Sequence, residues 1–282
     1  MSATGSTSPL GVICGAGEFP LAVARAARSA GRDVFLLGIE GFVDGELAGW
    51  PHARVRLGRI GALLAALRGA NVRDLVIVGG LTRPAFRDLR LDFGALRLVP
   101  AFLDALRGGD DRLLSRVARF FEREGFRVLG AHEAAPGLLA PAGAIARRAP
   151  VAATLRDAEF AARLVAATGP FDAGQAAVVC DGHVWAIEAA EGTDAMLARV
   201  AELRASGRIR RRPPSGLLYK APKPGQDRRV DLPALGPRTV EAARRAGLAA
   251  IAWEAGGALV LDREAMARAA DAAGISLFGR AA

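Results

Sequence analysis

The chain has 282 residues, 51% hydrophobic but only 6% aromatic, with 38 Lys and Arg against 29 Asp and Glu for a formal net charge of +9. That length favours two domains, and an interior drawn mainly from Ala, Leu and Val suits helices packed on sheets, an α/β class. Cys14 and Cys180 are far apart and lack a Cys-x-x-Cys spacing, which argues against a disulfide framework or a zinc site, and no apolar run reaches the roughly 18 residues of a membrane span.

Residues 1–9 are small and polar, without the basic and apolar regions of a signal peptide, so a reducing cytoplasm is the expected compartment. The Arg excess suits an anionic partner such as a nucleotide, an anionic lipid surface or nucleic acid, and suits a bare codon bias equally well.

From the N-terminus, Leu10–Cys14 reads as an apolar strand, Gly15-Ala16-Gly17 as a turn, and 19–30 as a helix stopped by Gly31. A second strand at 34–37, a Leu-rich helix at 62–68 and a third strand at 75–78 ending in Gly79-Gly80 continue the alternation expected of a parallel sheet. Helical spacing of Leu113, Leu114, Val117, Phe120 and Phe121 follows Asp110-Asp111, and 126–129 reads as a strand. The Ala-, Pro- and Gly-rich stretch 134–150 carries the domain boundary, giving domains 1–138 and 139–282. Further on, Asp181-Gly182 joins two short strands as a type I′ hairpin, and 238–246, 250–253, 258–261 and 263–273 read as helix, strand, strand and helix.

Four stretches carry chemistry. Gly15-x-Gly17 between strand and helix would offer backbone N–H groups to a phosphate, or is a tight structural turn; Pro20 stands where a dinucleotide fingerprint wants its third glycine, although Glu40 sits at the spacing of a ribose-binding acid. Gly80, Thr82 and Arg83 follow the third strand at the same sheet edge. Glu188, Glu191, Gly192, Thr193 and Asp194, with Gln175 before the hairpin, would bind Mg2+ or sugar hydroxyls, or else Thr193 or Asp194 caps a helix starting at Ala195. The stretch 217–231 sets Lys220, Lys223, Gln226, Asp227, Arg228 and Arg229 around a Pro-Gly turn, which suits a polyanion and a divalent metal, the alternative being a solvated loop.

Other features are weaker. Asp110-Asp111 reads as an N-cap before it reads as a metal pair, and His52, His132 and His183 lack a metal-ligand spacing. The run Arg208–Arg212 is a solvated face or a lipid-phosphate contact, and scarce interleaved aromatics argue against a nucleic-acid surface.

Together these stretches resemble the LpxI family, UDP-2,3-diacylglucosamine pyrophosphatases of lipid A biosynthesis. The resemblance rests on 10–20, on Gly79-Gly80-Leu81-Thr82-Arg83-Pro84, on 109–114 with Glu124-Gly125-Phe126, on Gly174-Gln175-Ala176, and above all on 188–196 and 220–233. It implies a Rossmann-like N-terminal domain with a parallel sheet, a distinct α/β C-terminal domain and a ligand site between them. It also implies Mg2+-dependent hydrolysis of UDP-2,3-diacylglucosamine to UMP and 2,3-diacylglucosamine 1-phosphate (lipid X), with water attacking the phosphorus on the lipid-sugar side, by a cytoplasmic enzyme peripheral to the inner membrane. The family's essential aspartate corresponds to Asp227, expected as catalytic residue and, with Asp194, as metal ligand. Thr82, where relatives often carry valine, is the main departure. A nucleotide-dependent oxidoreductase built on the N-terminal glycine turn is the competing enzyme reading, a basic lipid- or nucleic-acid-binding module the non-enzymatic one, and assembly as a homodimer is left open.

Overall fold

The computed structural model describes residues 8–43, 47–80 and 110–281, with 110–113 described by backbone alone. Thr82 and Arg83 lie outside the described residues, as do the side chains of Asp110 and Asp111.

β1 (Leu10–Cys14) and β4 (Asp74–Val78) are buried at every position, and β2 (Val34–Ile39) at all but one. Strands covered on both faces read as continuous apolar runs rather than alternating ones, and these pair in parallel with β3 (His52–Val55) and β5 (Arg127–Val128) in the order β3-β2-β1-β4-β5, as in doubly wound sheets. The helices are α1 (Phe19–Ser29), α2 (Ile60–Gly69), α3 (Asp110–Arg123) and the single turn α4 (Ala131–Ala134). Pro20, which breaks the dinucleotide fingerprint, sits in the first turn of α1, where its fixed φ and missing N–H cost nothing. Ile13, Leu37, Leu64, Leu75, Phe120 and Phe121 share one core, with Phe121 edge-on to both Phe120 and Phe126.

One buried charge ties this sheet together. Asp74 receives two 2.8 Å hydrogen bonds from Arg127 on β5 and pairs with Arg32 ahead of β2. Burial alone would raise its pKa; the hydrogen bonds and charges of Arg127 and Arg32 outweigh that and hold the carboxyl below its ordinary range.

The second unit holds β6 (Gly143–Ala144), α5 (Ala152–Thr168), β7 (Ala176–Cys180), β8 (His183–Ile187), α6 (Gly192–Ala205), β9 (Leu217–Lys220), β10 (Ala234–Leu235), α7 (Pro237–Arg245), β11 (Ala250–Glu254), β12 (Leu259–Val260), α8 (Arg263–Ala273) and β13 (Ser276–Arg280). Its mixed sheet runs β6-β13-β11-β9-β7-β8, with β9, β11 and β13 parallel to one another and β7 antiparallel to β9. α5 covers one face, packing Ala158, Ala161 and Val165 on Val179, Leu217 and Tyr219. The other face packs Val178, Leu218, Ile251 and Leu277 against α6, α7 and α8. At the β7–β8 turn Asp181 and Gly182 take φ of 49° and 74°, the positive pair a type I′ turn requires.

The first compact unit comprises the described residues up to Gly137 together with Asp227–Asp231; the second runs over Leu138–Gln226 and resumes at Leu232. The chain thus leaves the second unit for five residues and returns to it.

Candidate active site

Asp227 opens the five-residue segment that belongs to the N-terminal unit. Val230 anchors that segment by packing against the Phe120–Phe121 core, and the N–H groups of Val230 and Asp231 donate to the Asp227 carbonyl at 3.2 Å. The tight turn folds Arg229 back onto its neighbour. Its Nε and backbone N–H donate to Asp227 Oδ1 at 3.0 and 3.1 Å, its Nη2 to Oδ2 at 2.8 Å, and its Nη1 reaches Glu122 Oε1 on α3 at 2.5 Å. The Arg229 hydrogen bonds are the largest influence on Asp227 and, against the opposing effect of burial, hold its carboxyl below the ordinary range. Asp227 is therefore ionised throughout the neutral range, and Arg229 is held protonated more firmly than a free arginine. The sequence places Arg229 among the cations of the loop, for a polyanion, whereas the structure turns it onto Asp227; Glu122 carries no local signal at all.

In the same unit the two glycine turns meet. Ala16 and Gly80 form an antiparallel bridge, with Ala16 N–H to Gly80 O at 2.8 Å and Gly80 N–H to Ala16 O at 3.1 Å, while Gly15 N–H donates to Val78 O at 2.8 Å. The backbones are so close that a Cβ on Gly15 would stand 2.7 Å from Gly80 O, and one on Gly79 (φ +97°) 2.7 Å from Gly15 C. The N–H groups of Gly15 and Ala16 thus bond Val78 at the end of β4 and Gly80 just after it, so these two are not the donors that the phosphate reading of the turn would use. Gly17 (φ +90°) has open space around it.

The second unit gathers a different set of the expected residues into one hydrogen-bonded chain. Gln175 N–H donates to Glu188 Oε2 at 2.8 Å, Thr193 Oγ1 to Glu188 Oε1 at 2.6 Å, and Lys220 Nζ to Thr193 Oγ1 at 2.9 Å. Glu188 and Lys220 are both buried, so each needs these partners. Gly174 is required here, because a Cβ would fall 2.6 Å from Glu188 O. Lys223 is also buried and pairs with Asp172, a partner that no sequence spacing announced. Lys223, Pro224, Gly225 and Gln226 form a turn closed by Gln226 N–H to Lys223 O at 3.2 Å; Pro224 fixes its φ and Gly225 takes φ +78°, the type II pattern. Gln226 Oε1 accepts the Lys223 N–H at 2.8 Å, so Gln226 shapes the turn.

The capping reading of Thr193 and Asp194 is corrected. α6 begins at Gly192 (φ +77°) with Glu191 as N-cap, three residues before the expected start. Thr193 thereby points its hydroxyl at Glu188 rather than at a helix end. Glu191 pairs with Arg199 along its own helix at 2.6 Å, and Asp194 stays exposed in the first turn.

Among the described residues one trio brings ligand atoms together at metal-like separations: Asp157, Cys180 and Asp181. Its atoms are otherwise engaged. Both Asp157 oxygens accept hairpin N–H groups, from Asp181 at 2.9 Å and Gly182 at 2.8 Å, and Asp181 pairs with Arg211. Burial and the two aspartates push the Cys180 thiol up to about 11, and burial pushes Cys14 up to about 12, so neither is a thiolate near neutrality. Mg2+ has different needs: it takes one or two carboxylates, substrate phosphates and retained waters. Asp227, ionised and with lone pairs beyond those used by Arg229, and the exposed Asp194 are donors of that kind, so the donor chemistry fits.

Comparison with known proteins decides the family. The LpxI N-terminal domain matches residues 9–138 and the LpxI C-terminal domain residues 141–278. The chain belongs to the LpxI family. It is 42% identical over 270 residues, 96% of either chain, to the UDP-2,3-diacylglucosamine pyrophosphatase LpxI of Caulobacter vibrioides. The two LpxI domain matches meet where the first compact unit ends at Gly137. An LpxI assignment leaves no support for the oxidoreductase reading, and the spent N–H groups of Gly15 and Ala16 give a physical reason to set it aside.

Proposed function

We propose that this chain hydrolyses the pyrophosphate of UDP-2,3-diacylglucosamine, giving UMP and 2,3-diacylglucosamine 1-phosphate (lipid X), with Mg2+ and at the surface of the inner membrane. The observation that carries the reading is 42% identity along 96% of a relative named for pyrophosphatase activity on that substrate. A water oxygen forms a bond to one phosphorus, the bridging P–O bond breaks, and the leaving phosphate takes the electron pair. Asp227, kept ionised by Arg229, is suited to orient that water and accept its proton. Bound Mg2+ would neutralise developing charge on the phosphate oxygens, with Asp227 and Asp194 as its protein ligands. Lys220 and Lys223 supply cations for a pyrophosphate, their ammonium groups oriented by Thr193 and Asp172. Arg83, Thr82, Gly80, Gly17 and Gln175 complete the candidate binding set. No helix among the described residues is long and apolar enough to cross a membrane.

The test is incubation with UDP-2,3-diacylglucosamine, with Mg2+ and with EDTA, following UMP and lipid X. Magnesium-dependent release of both is expected. No UMP under either condition overturns the activity, and equal release with EDTA overturns the metal requirement alone. In 18O-water the label is expected in the lipid X phosphate; label in UMP would reassign the attacked phosphorus.

A further inference from the structure

Four large apolar side chains are exposed among the described residues: Val151, Leu155, Phe171 and Val184. Three of them collect at one end of the C-terminal sheet. Val151 precedes α5 and Leu155 lies in its first turns, and the Asp157 carboxylate that follows binds the hairpin turn at Asp181 and Gly182. This fixes the start of α5 beside the β7–β8 turn. Val184 stands opposite Val179, which packs against α5, so it faces the same side.

The arginine run is tied to the same end. Arg211 pairs with Asp181, and its carbonyl accepts a 2.6 Å hydrogen bond from Arg204. Arg208, Arg210 and Arg212 are exposed and have no acidic partner among the described residues, and the same holds for Arg156 on α5. Arg148 reaches this end too, donating to Gly274 O at 2.6 Å just before β13. Asp157 is occupied by hairpin N–H groups, Asp181 by Arg211 and Asp271 by Arg147, while Glu159 on α5 and Glu202 near the end of α6 are exposed.

We propose that this end of the sheet, with Val151, Leu155 and Val184 set among Arg156, Arg210 and Arg212, is a docking surface for an anionic lipid bilayer. Aliphatic side chains beside cations that lack acidic partners match the two requirements of reversible surface binding, apolar insertion and attraction to lipid phosphate. Nucleic acid is disfavoured, because exposed aliphatics offer no stacking platform. β9 begins at this end with Leu217 and finishes at Lys220, so the Glu188–Thr193–Lys220 chain lies at the opposite end of the same strands. The inference rests on the membrane part of the proposed function and is independent of the hydrolysis.

Co-sedimentation of the full chain with vesicles of phosphatidylcholine, alone or mixed with phosphatidylglycerol, tests it. Wild type is expected to bind the anionic vesicles and to be released by salt. Val151→Ser/Leu155→Ser/Val184→Ser and Arg210→Gln/Arg212→Gln are each expected to lose roughly tenfold or more in affinity, with unchanged melting temperature and unchanged hydrolysis in detergent. Variants that bind like wild type overturn the surface assignment and leave the membrane reading standing; failure of wild type to bind overturns both. If the apolar variants keep lipid binding but sediment as smaller species than wild type, the face is an interface between copies and the proposal is wrong.

Discussion

Arg229 holds both carboxylate oxygens of Asp227, at 3.0 and 2.8 Å, while its remaining nitrogen reaches Glu122 at 2.5 Å. A candidate catalytic base is thus held ionised by a residue two positions away, itself oriented from α3. Asp227→Asn keeps the shape and removes the charge and basicity, so kcat is expected to fall on the order of 10³-fold with little change in melting temperature. Steady-state hydrolysis paired with thermal melts checks this.

The same geometry sets a pH dependence. Arg229 lowers the Asp227 pKa, so the ionised form survives to lower pH in wild type than it would for an isolated aspartate. Arg229→Ala is expected to raise that pKa toward the ordinary value and move the acid limb of the kcat/KM profile to higher pH. An unmoved limb would mean that Asp227 ionisation does not govern turnover.

Asp74 makes a stability prediction of the same sign. Its pKa is depressed in the folded chain, so its pairing with Arg127 and Arg32 contributes fully above the unfolded value of about 4 and is lost as pH falls through the folded value. Asp74→Asn is expected to cost about 1–3 kcal/mol at neutral pH, since Arg127 reaches solvent but the largely buried Arg32 loses its partner, and the gap from wild type should begin to narrow below about pH 4 in urea titrations.

Neighbouring glycines should respond in opposite ways. Gly79→Ala forces a Cβ to 2.7 Å from Gly15 C at φ +97°, whereas Gly80 has open space around it. A loss of roughly 2–3 kcal/mol is expected for the first and within about 0.5 kcal/mol for the second, read from chemical denaturation.

Thr193 links two buried charges, so Thr193→Val leaves Glu188 and Lys220 without their shared hydroxyl. A stability loss of about 1–3 kcal/mol and reduced turnover are expected, with both recovered in Thr193→Ser. Failure of serine to restore turnover would show that the hydroxyl link is not what matters there.

The sequence made the buried strands legible because burial on both faces leaves unbroken apolar runs, as in Leu10–Cys14 and in 75–78. It hid β3, whose His-Ala-Arg-Val lies at the sheet edge with one buried residue, and α5, whose buried face is built largely from Ala158 and Ala161 and so lacks contrast. The start of α6 was misplaced because its apolar pattern begins only at Met196, whereas Glu191 and Gly192 set its first turn through backbone geometry. At the site, residue types were readable but partners were not: Glu122 is 107 positions from Arg229 and Asp172 is 51 from Lys223, separations that no local pattern encodes.

The five-residue excursion at Asp227–Asp231 makes the two units inseparable as linear pieces. A cut at Gly137 yields an N-terminal fragment with the seat for Asp227 but not the residue, and a C-terminal fragment with the residue but not its seat, since Glu122 and the core that anchors Val230 are left behind. Gene fission at the apparent boundary, or exchange of one half with that of a distant relative, would therefore disturb the candidate base first. Asp227, Arg229 and Glu122 form one device written in two places along the chain.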